Sequence, residues 1–118
     1  MIQIPYNLFD RRFDSKLKVA KSFGIEIFAR SCFLQGLFFM KETNNDKVRI
    51  INNFAKSNNV DISKVAIDCC LMNEYIDYIV IGSETINQIK DNVKIFNSNN
   101  ILNFDSNFLD SVKENDKN

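Results

Sequence analysis

The stretch Ile76-Asp77-Tyr78-Ile79-Val80-Ile81-Gly82-Ser83-Glu84-Thr85-Ile86-Asn87-Gln88-Ile89-Lys90-Asp91-Asn92 decides the fold. An almost unbroken apolar run meets a glycine and a small hydroxyl residue, and a polar segment with helical spacing follows. This reads as a buried strand, a tight turn, and a helix whose N-terminus lies over the strand's end. The free N–H groups and positive dipole end of such a helix form an anion site. Gly82 has no Cβ, so a phosphate can approach the backbone there. Ser83 can cap the helix and offer its hydroxyl to an oxyanion. The same residues also suit an ordinary β-to-α turn.

Working upstream, Ile2-Gln3-Ile4 reads as a strand, with Pro5 at its end because it cannot donate to a ladder. Residues 6–12 read as a polar connection. Asp14 or Ser15 starts a helix with Phe13, Leu17, Ala20 and Phe23 on one face. Gly24 supplies the residue after its end, and 25–29 form the next strand. Arg30 then falls at that strand's exposed carboxyl end, with a turn at Gly36 and a polar loop over 41–45. Asp46 caps a helix with Val48, Ile51, Phe54 and Ala55 inward. Asp61 caps another with Ile62, Val65, Ala66, Cys69 and Met72 inward. Downstream of the strand at 76–81, the helix is expected to bury Ile86, Ile89, Val93 and Phe96. A last amphipathic segment starts near Asp105 with Phe108, Leu109 and Val112 inward. Residues 1–112 form the folded part and 113–118 a polar, frayed tail.

Strands that alternate with helices imply an α/β fold with a parallel sheet and right-handed crossovers. Ligands of such sheets bind beyond the carboxyl ends of the strands. That places 3–7, 30–36 and 82–83 on one rim.

The 118 residues suffice for one domain with a real core. The 45% hydrophobic and 25% charged content is ordinary for a globular protein. Lys+Arg and Asp+Glu are both 15, so no basic excess suits a nucleic-acid backbone, and no nucleic acid is expected as partner. The 11 Phe read as core, not as base-stacking platforms. No histidine is present, which removes the commonest acid–base and metal group, and no metal site is expected. Cys32, Cys69 and Cys70 form no CxxC pair. An odd number without a secretory leader suggests a reducing, cytoplasmic setting, and the adjacent pair reads as small core residues. The longest apolar patch, 32–40, is broken by Gln35 and Gly36 and falls short of the roughly 20 residues of a membrane helix, so no membrane contact is expected.

Three blocks carry a resemblance: Gln3-Ile4-Pro5-Tyr6-Asn7-Leu8; Arg30-Ser31-Cys32-Phe33-Leu34-Gln35-Gly36-Leu37; and Ile81-Gly82-Ser83 with Gln88 and Asn92. In order and separation they resemble the C-terminal half of an aldo/keto reductase, over residues 2–97. Members of that family are NAD(P)H-dependent (β/α)8 barrels. The resemblance implies an incomplete barrel, about its last three β/α units, and a nicotinamide dinucleotide as partner. Gln3 would hydrogen-bond the nicotinamide carboxamide. Arg30 stands where many members stack an aromatic ring on the nicotinamide, a role a planar guanidinium can share. Ser31, Phe33, Gln35 and Gly36 would line the pyrophosphate and ribose. Gly82 and Ser83 would meet the adenosine ribose phosphate, and Asn92 the adenine. Gly82 and Gln88 occupy positions where some NADP-selective members carry lysine and arginine. The choice between NADP and NAD therefore stays open, with NADP slightly favoured by resemblance.

The family's Asp, Tyr, Lys and His lie on earlier strands and have no matching positions, and Tyr6, Tyr75 and Tyr78 do not fit the tyrosine motif. No catalytic residue is assigned. A barrel of this kind takes about 250 residues. Three strands leave open edges, so the isolated chain is expected to be inactive and marginal. It would complete itself with a complementary N-terminal half or a second copy. The alternative is a nucleotide-binding or self-associating regulatory module without catalysis.

Overall fold

Ile27 and Ala29 are fully buried on the central strand of a three-stranded parallel sheet. This strand, β2 (Ile27–Arg30), is flanked by β1 (Ile2–Pro5) and β3 (Tyr78–Ile79). Ile2 stands opposite Ile27 and Pro5 opposite Arg30, while Tyr78 stands opposite Phe28 and Ile79 opposite Ala29. Spatial order follows chain order, as β/α repeats require. The structure, a computed structural model, describes residues 1–30, 32, 46–82, 85–98 and 100–113. Within them lie α1 (Asp14–Ser22), α2 (Asp46–Ser57), α3 (Ile62–Leu71), α4 (Ile86–Asn97) and α5 (Ser106–Val112).

The period of two along each strand separates the faces of the sheet. Ile4, Ile27 and Ala29 join the core with Leu17 of α1, Val48 and Ile51 of α2, Val65, Ala66 and Cys69 of α3, and Val112 of α5. Gln3, Arg30 and Tyr78 lie on the other face and are exposed, with Phe28 half-buried between them. Parallel sheets are ordinarily covered on both faces. Among the described residues no helix covers this second face, and such a face is what a β/α barrel turns inward and fills with side chains. The expectation of an open, incomplete barrel of parallel strands therefore holds.

Strand ends differ from expectation for local reasons. Gly24 has φ +74 and bonds back to Lys21, and the Ile25 amide still reaches the Ala20 carbonyl at 3.3 Å. The exit from α1 thus uses Ile25, and β2 begins at Ile27 and runs to Arg30. β3 is shorter than 76–81, and at its start the Asp77 carboxylate stands in for a backbone acceptor. It accepts the Ile27 amide at 2.8 Å and the Lys21 ammonium at 2.7 Å. Ladder bonds extend one residue each way, from Asp77 N to Ile27 O and from Val80 N to Ala29 O.

The largest correction concerns 6–12, which is a core segment and not a polar connection. Tyr6, Asn7, Leu8, Phe9 and Arg11 are all buried. Their polar groups are satisfied internally, as burial demands. Tyr6 donates to Asp14 Oδ1 at 2.6 Å and accepts from Asn73 at 3.1 Å. Asn7 Oδ1 accepts the Phe9 and Asp10 amides, both at 2.9 Å. Arg11 donates to the carbonyls of Leu8 and Leu109, the second on α5.

Phe23 and Met72 were expected inward and are exposed, Phe23 at 78%. Each is the C-cap of its helix, beyond the last regular residue of the apolar stripe. Most of the expected apolar stripe of α4 is also uncovered, Phe96 alone being half-buried. Ile86 is 70% exposed, Ile89 and Val93 are exposed, and no residue of α4 is buried. A helix in a β/α array rests over its own strand and the next, and α4 follows the edge strand of this sheet. At α5 the expectation holds: Asp105 caps it through the Phe108 amide at 2.7 Å. Phe54, Phe104 and Phe108 stack with centroids 4.2–5.9 Å apart, core packing as expected. Residues 114–118, most of the expected tail, lie outside the described residues.

Candidate functional site

Because the three strands are parallel, their carboxyl ends share one side of the sheet. Pro5 stands opposite Arg30, and the Tyr6 amide continues the ladder to the Arg30 carbonyl at 3.0 Å. Gln3 shares a row with Phe28 and Tyr78. Arg30 lies one row further along on the same face. Both are exposed, so an amide and a guanidinium flank the Phe28–Tyr78 aromatic pair, whose centroids are 4.6 Å apart.

Gly82 follows β3 on this side. A Cβ there would meet no described atom within 4 Å, and its φ is not in the left-handed range. The described packing thus gives no internal reason for glycine at this position. The helix beyond is capped by Thr85, not by Ser83 as expected. Thr85 Oγ1 accepts the Gln88 amide at 3.1 Å, and Gln88 Oε1 accepts the Thr85 amide at 3.3 Å. This reciprocal box is written in the sequence as Thr85-x-x-Gln88. Gln88 therefore has a structural task at the start of α4. Asn92, one turn on, is half-buried and lines a groove of ≈ 420 Å³ with Ile79, Ile81, Ile89, Val93 and Phe96. Ser31, Phe33, Gln35, Gly36 and Ser83 lie outside the described residues. Asn7, expected on the rim, is instead buried in its own turn.

The buried titratable groups are set for structure and not for proton transfer. Burial and the bond to Asp14 raise the Tyr6 phenol far above its ordinary value. Burial pushes the Cys69 thiol up to about 12. Cys70 is raised by the neighbouring Cys32 thiol and by burial. Thiols in such surroundings are poor nucleophiles, in line with their reading as small core residues. Among the described residues no group of three or more His, Cys, Asp or Glu could hold a metal ion. No described helix is long and apolar enough to cross a membrane.

Parallel β/α units with polar side chains at the strands' carboxyl ends define part of an α/β barrel and its ligand-binding side. The sequence profile of the Aldo/keto reductase family matches residues 1–115, and the chain belongs to that family. Its fold is similar to that of aldo-keto reductase AKR11C1 from Bacillus halodurans, with TM-scores of 0.71 for the apo form and 0.74 for the holo form at 16% identity. Each alignment covers 94% of this chain and 41% of that one. The chain is also similar to Tm1743, a thermostable aldo-keto reductase in complex with the inhibitor epalrestat, with TM-score 0.65 and 16% identity. That alignment covers 93% of this chain and 37% of the other. These likenesses show the fold, and the chain spans about two fifths of the length of the structures it matches. No curated protein matches the sequence.

Proposed function

We propose that this chain supplies the C-terminal share of the NAD(P)H-binding cleft of an aldo/keto reductase. On this reading the 118 residues alone do not reduce carbonyls, because the strands that carry the family's Asp, Tyr, Lys and His are not among them. Gln3 holds the nicotinamide carboxamide, and Arg30 lies along the nicotinamide ring. Ser31, Phe33, Gln35 and Gly36 line the pyrophosphate and ribose. Gly82, Ser83 and Gln88 meet the adenosine ribose phosphate, and Asn92 meets the adenine. When bound, the dinucleotide supplies a hydride. The residues of this chain bind it and orient its ring.

The observation that carries the reading is the exposure of Gln3 and Arg30 on the face of the sheet that no described helix covers. The chemistry of the donors fits the group: an amide for a carboxamide, a planar cation for a ring, open backbone at Gly82 for phosphate. NADP is favoured over NAD by family resemblance. The three free, buried cysteines support placement in a reducing cytoplasm. A complementary N-terminal half would cover the bare face and the β3 edge. Self-association is the second reading, favoured by exposed Val80 and Ile86 beside that edge.

Calorimetric titration of the 118-residue chain with NADPH tests the cleft. Saturable heat that Gln3→Ala and Arg30→Ala each diminish is expected. Absence of heat at millimolar nucleotide would remove the reading.

A further inference from the structure

Helix α4 carries Gln88 and Asn92; none of its residues is fully buried, and it rests on its neighbours only through half-buried side chains such as Asn92, Ile95 and Phe96. Its ends therefore matter. The Thr85–Gln88 box holds the first turn. Beyond the last turn the chain passes α3, which grips it twice. Lys64 Nζ donates to the Asn100 carbonyl at 2.7 Å, and Asp68 Oδ2 accepts the Leu102 amide at 3.0 Å. Lys64 and Asp68 are themselves paired at 2.8 Å.

This pair is costly for a merely structural contact. The Asp68 side chain is 1% exposed and Lys64 16%, and Asp68 Oδ1 has no hydrogen-bond partner among the described atoms. An under-satisfied buried ion pair is often replaced by apolar residues of similar volume without loss of stability. What apolar residues would not supply is two directional bonds to the backbone just past α4.

We propose that Lys64 and Asp68 are positioning residues for the cofactor helix. By clamping residues 100–102 against α3, they set the angle at which α4 presents Gln88 and Asn92. The proposal rests on the reading of those two residues as adenosine-side contacts.

The test uses the full chain carrying Lys64→Met together with Asp68→Leu, which removes both charges at once. Amide hydrogen exchange is followed across the molecule, and ADP and nicotinamide mononucleotide are titrated separately by calorimetry. The α4 amides should exchange at least about tenfold faster while β2 and α1 stay protected. ADP should bind about tenfold more weakly, the order expected for losing charge-assisted bonds, with nicotinamide mononucleotide unaffected. Unchanged α4 exchange overturns the proposal. So does unchanged ADP affinity in a loosened α4, or equal weakening of both nucleotides. Loosened α4 in a chain whose native form takes up neither ADP nor NADPH keeps the clamp and removes the cofactor reading. Should the double variant unfold, Leu102→Pro removes one grip and leaves the ion pair in place. Unchanged α4 exchange there overturns the proposal equally.

Discussion

Phe28 and Tyr78 stack across β2 and β3 with ring centroids 4.6 Å apart, on the side of the sheet opposite the helices. One residue further along each strand, Ala29 and Ile79 face the core. The two sides of one short ladder thus have opposite roles. One holds the chain together, and the other offers an aromatic, an amide and a guanidinium to whatever covers it.

That division predicts unequal costs. Tyr78→Ser loses the ring contact, worth about 0.5–1.5 kcal/mol, whereas Ile27→Ala should cost about 2–5 kcal/mol as a buried large-to-small change. Urea unfolding of both variants measures the difference, and similar losses would contradict the assignment of faces.

Asp77 ties α1 and β2 to the start of β3, and its carboxyl is held below the usual range first by Lys21 and then by the Ile27 amide. A lowered folded-state value stabilises the fold above the unfolded carboxylate range, and the contribution fades as pH falls through the folded value. Asp77→Asn should lower the urea midpoint at neutral pH. The gap to the native chain should close progressively below about pH 4, where an ordinary aspartate protonates.

At the other extreme, the neutral forms of Tyr6 and Cys69 are the folded ones. Burial moves Cys69 from 9.0 to about 12, and Tyr6 rises by burial and its bond to Asp14. A raised folded value gives stability that is complete below the unfolded value and is lost as pH climbs through the folded one. Circular dichroism should show unfolding that sets in above pH 9 and steepens towards 12. Tyr6 should ionise together with that loss of structure, and phenolate absorbance preceding it would contradict the burial argument.

Arg11 joins the Leu8 and Leu109 carbonyls from a position only 6% exposed. Arg11→Met keeps the stem and drops both bonds; the Leu109 carbonyl keeps the Lys113 amide, while the buried Leu8 carbonyl loses its Arg11 donor, at about 1–3 kcal/mol. Hydrogen exchange should show α5 released before the sheet, and simultaneous loss of both would contradict its role as a local latch.

The order of elements was legible because periodicity reports amphipathic faces directly: Val48, Ile51 and Ala55 on α2, and Val65, Ala66 and Cys69 on α3, lie where their spacing puts them. Periodicity does not say whether a partner is present: the stripe of α4 is apolar, yet Ile86, Ile89 and Val93 are exposed and only Phe96 is half-buried. Residues 6–12 misled because Asn7, Asp10, Arg11 and Arg12 look solvated, while three of the segment's polar side chains satisfy themselves against Asp14, local amides and α5. The cap is Thr85 and not Ser83, because Thr85-x-x-Gln88 closes a reciprocal capping box two residues beyond the glycine's neighbour. Of the rim, the parallel register places Arg30 beside Pro5 at one end of the sheet, as the pattern implied. Asn7 departs from that rim because its side chain is needed to close its own turn.

The central claim is that these residues are cofactor-holding units that act only with the remaining strands of a barrel. Aldehyde-dependent consumption of NADPH, measured on the 118-residue chain alone and after co-refolding with the N-terminal β/α units of an aldo/keto reductase, tests it most directly. The account predicts no turnover alone and carbonyl reduction from the mixture. Turnover by the chain alone, or silence from a stably formed mixed complex, would contradict it.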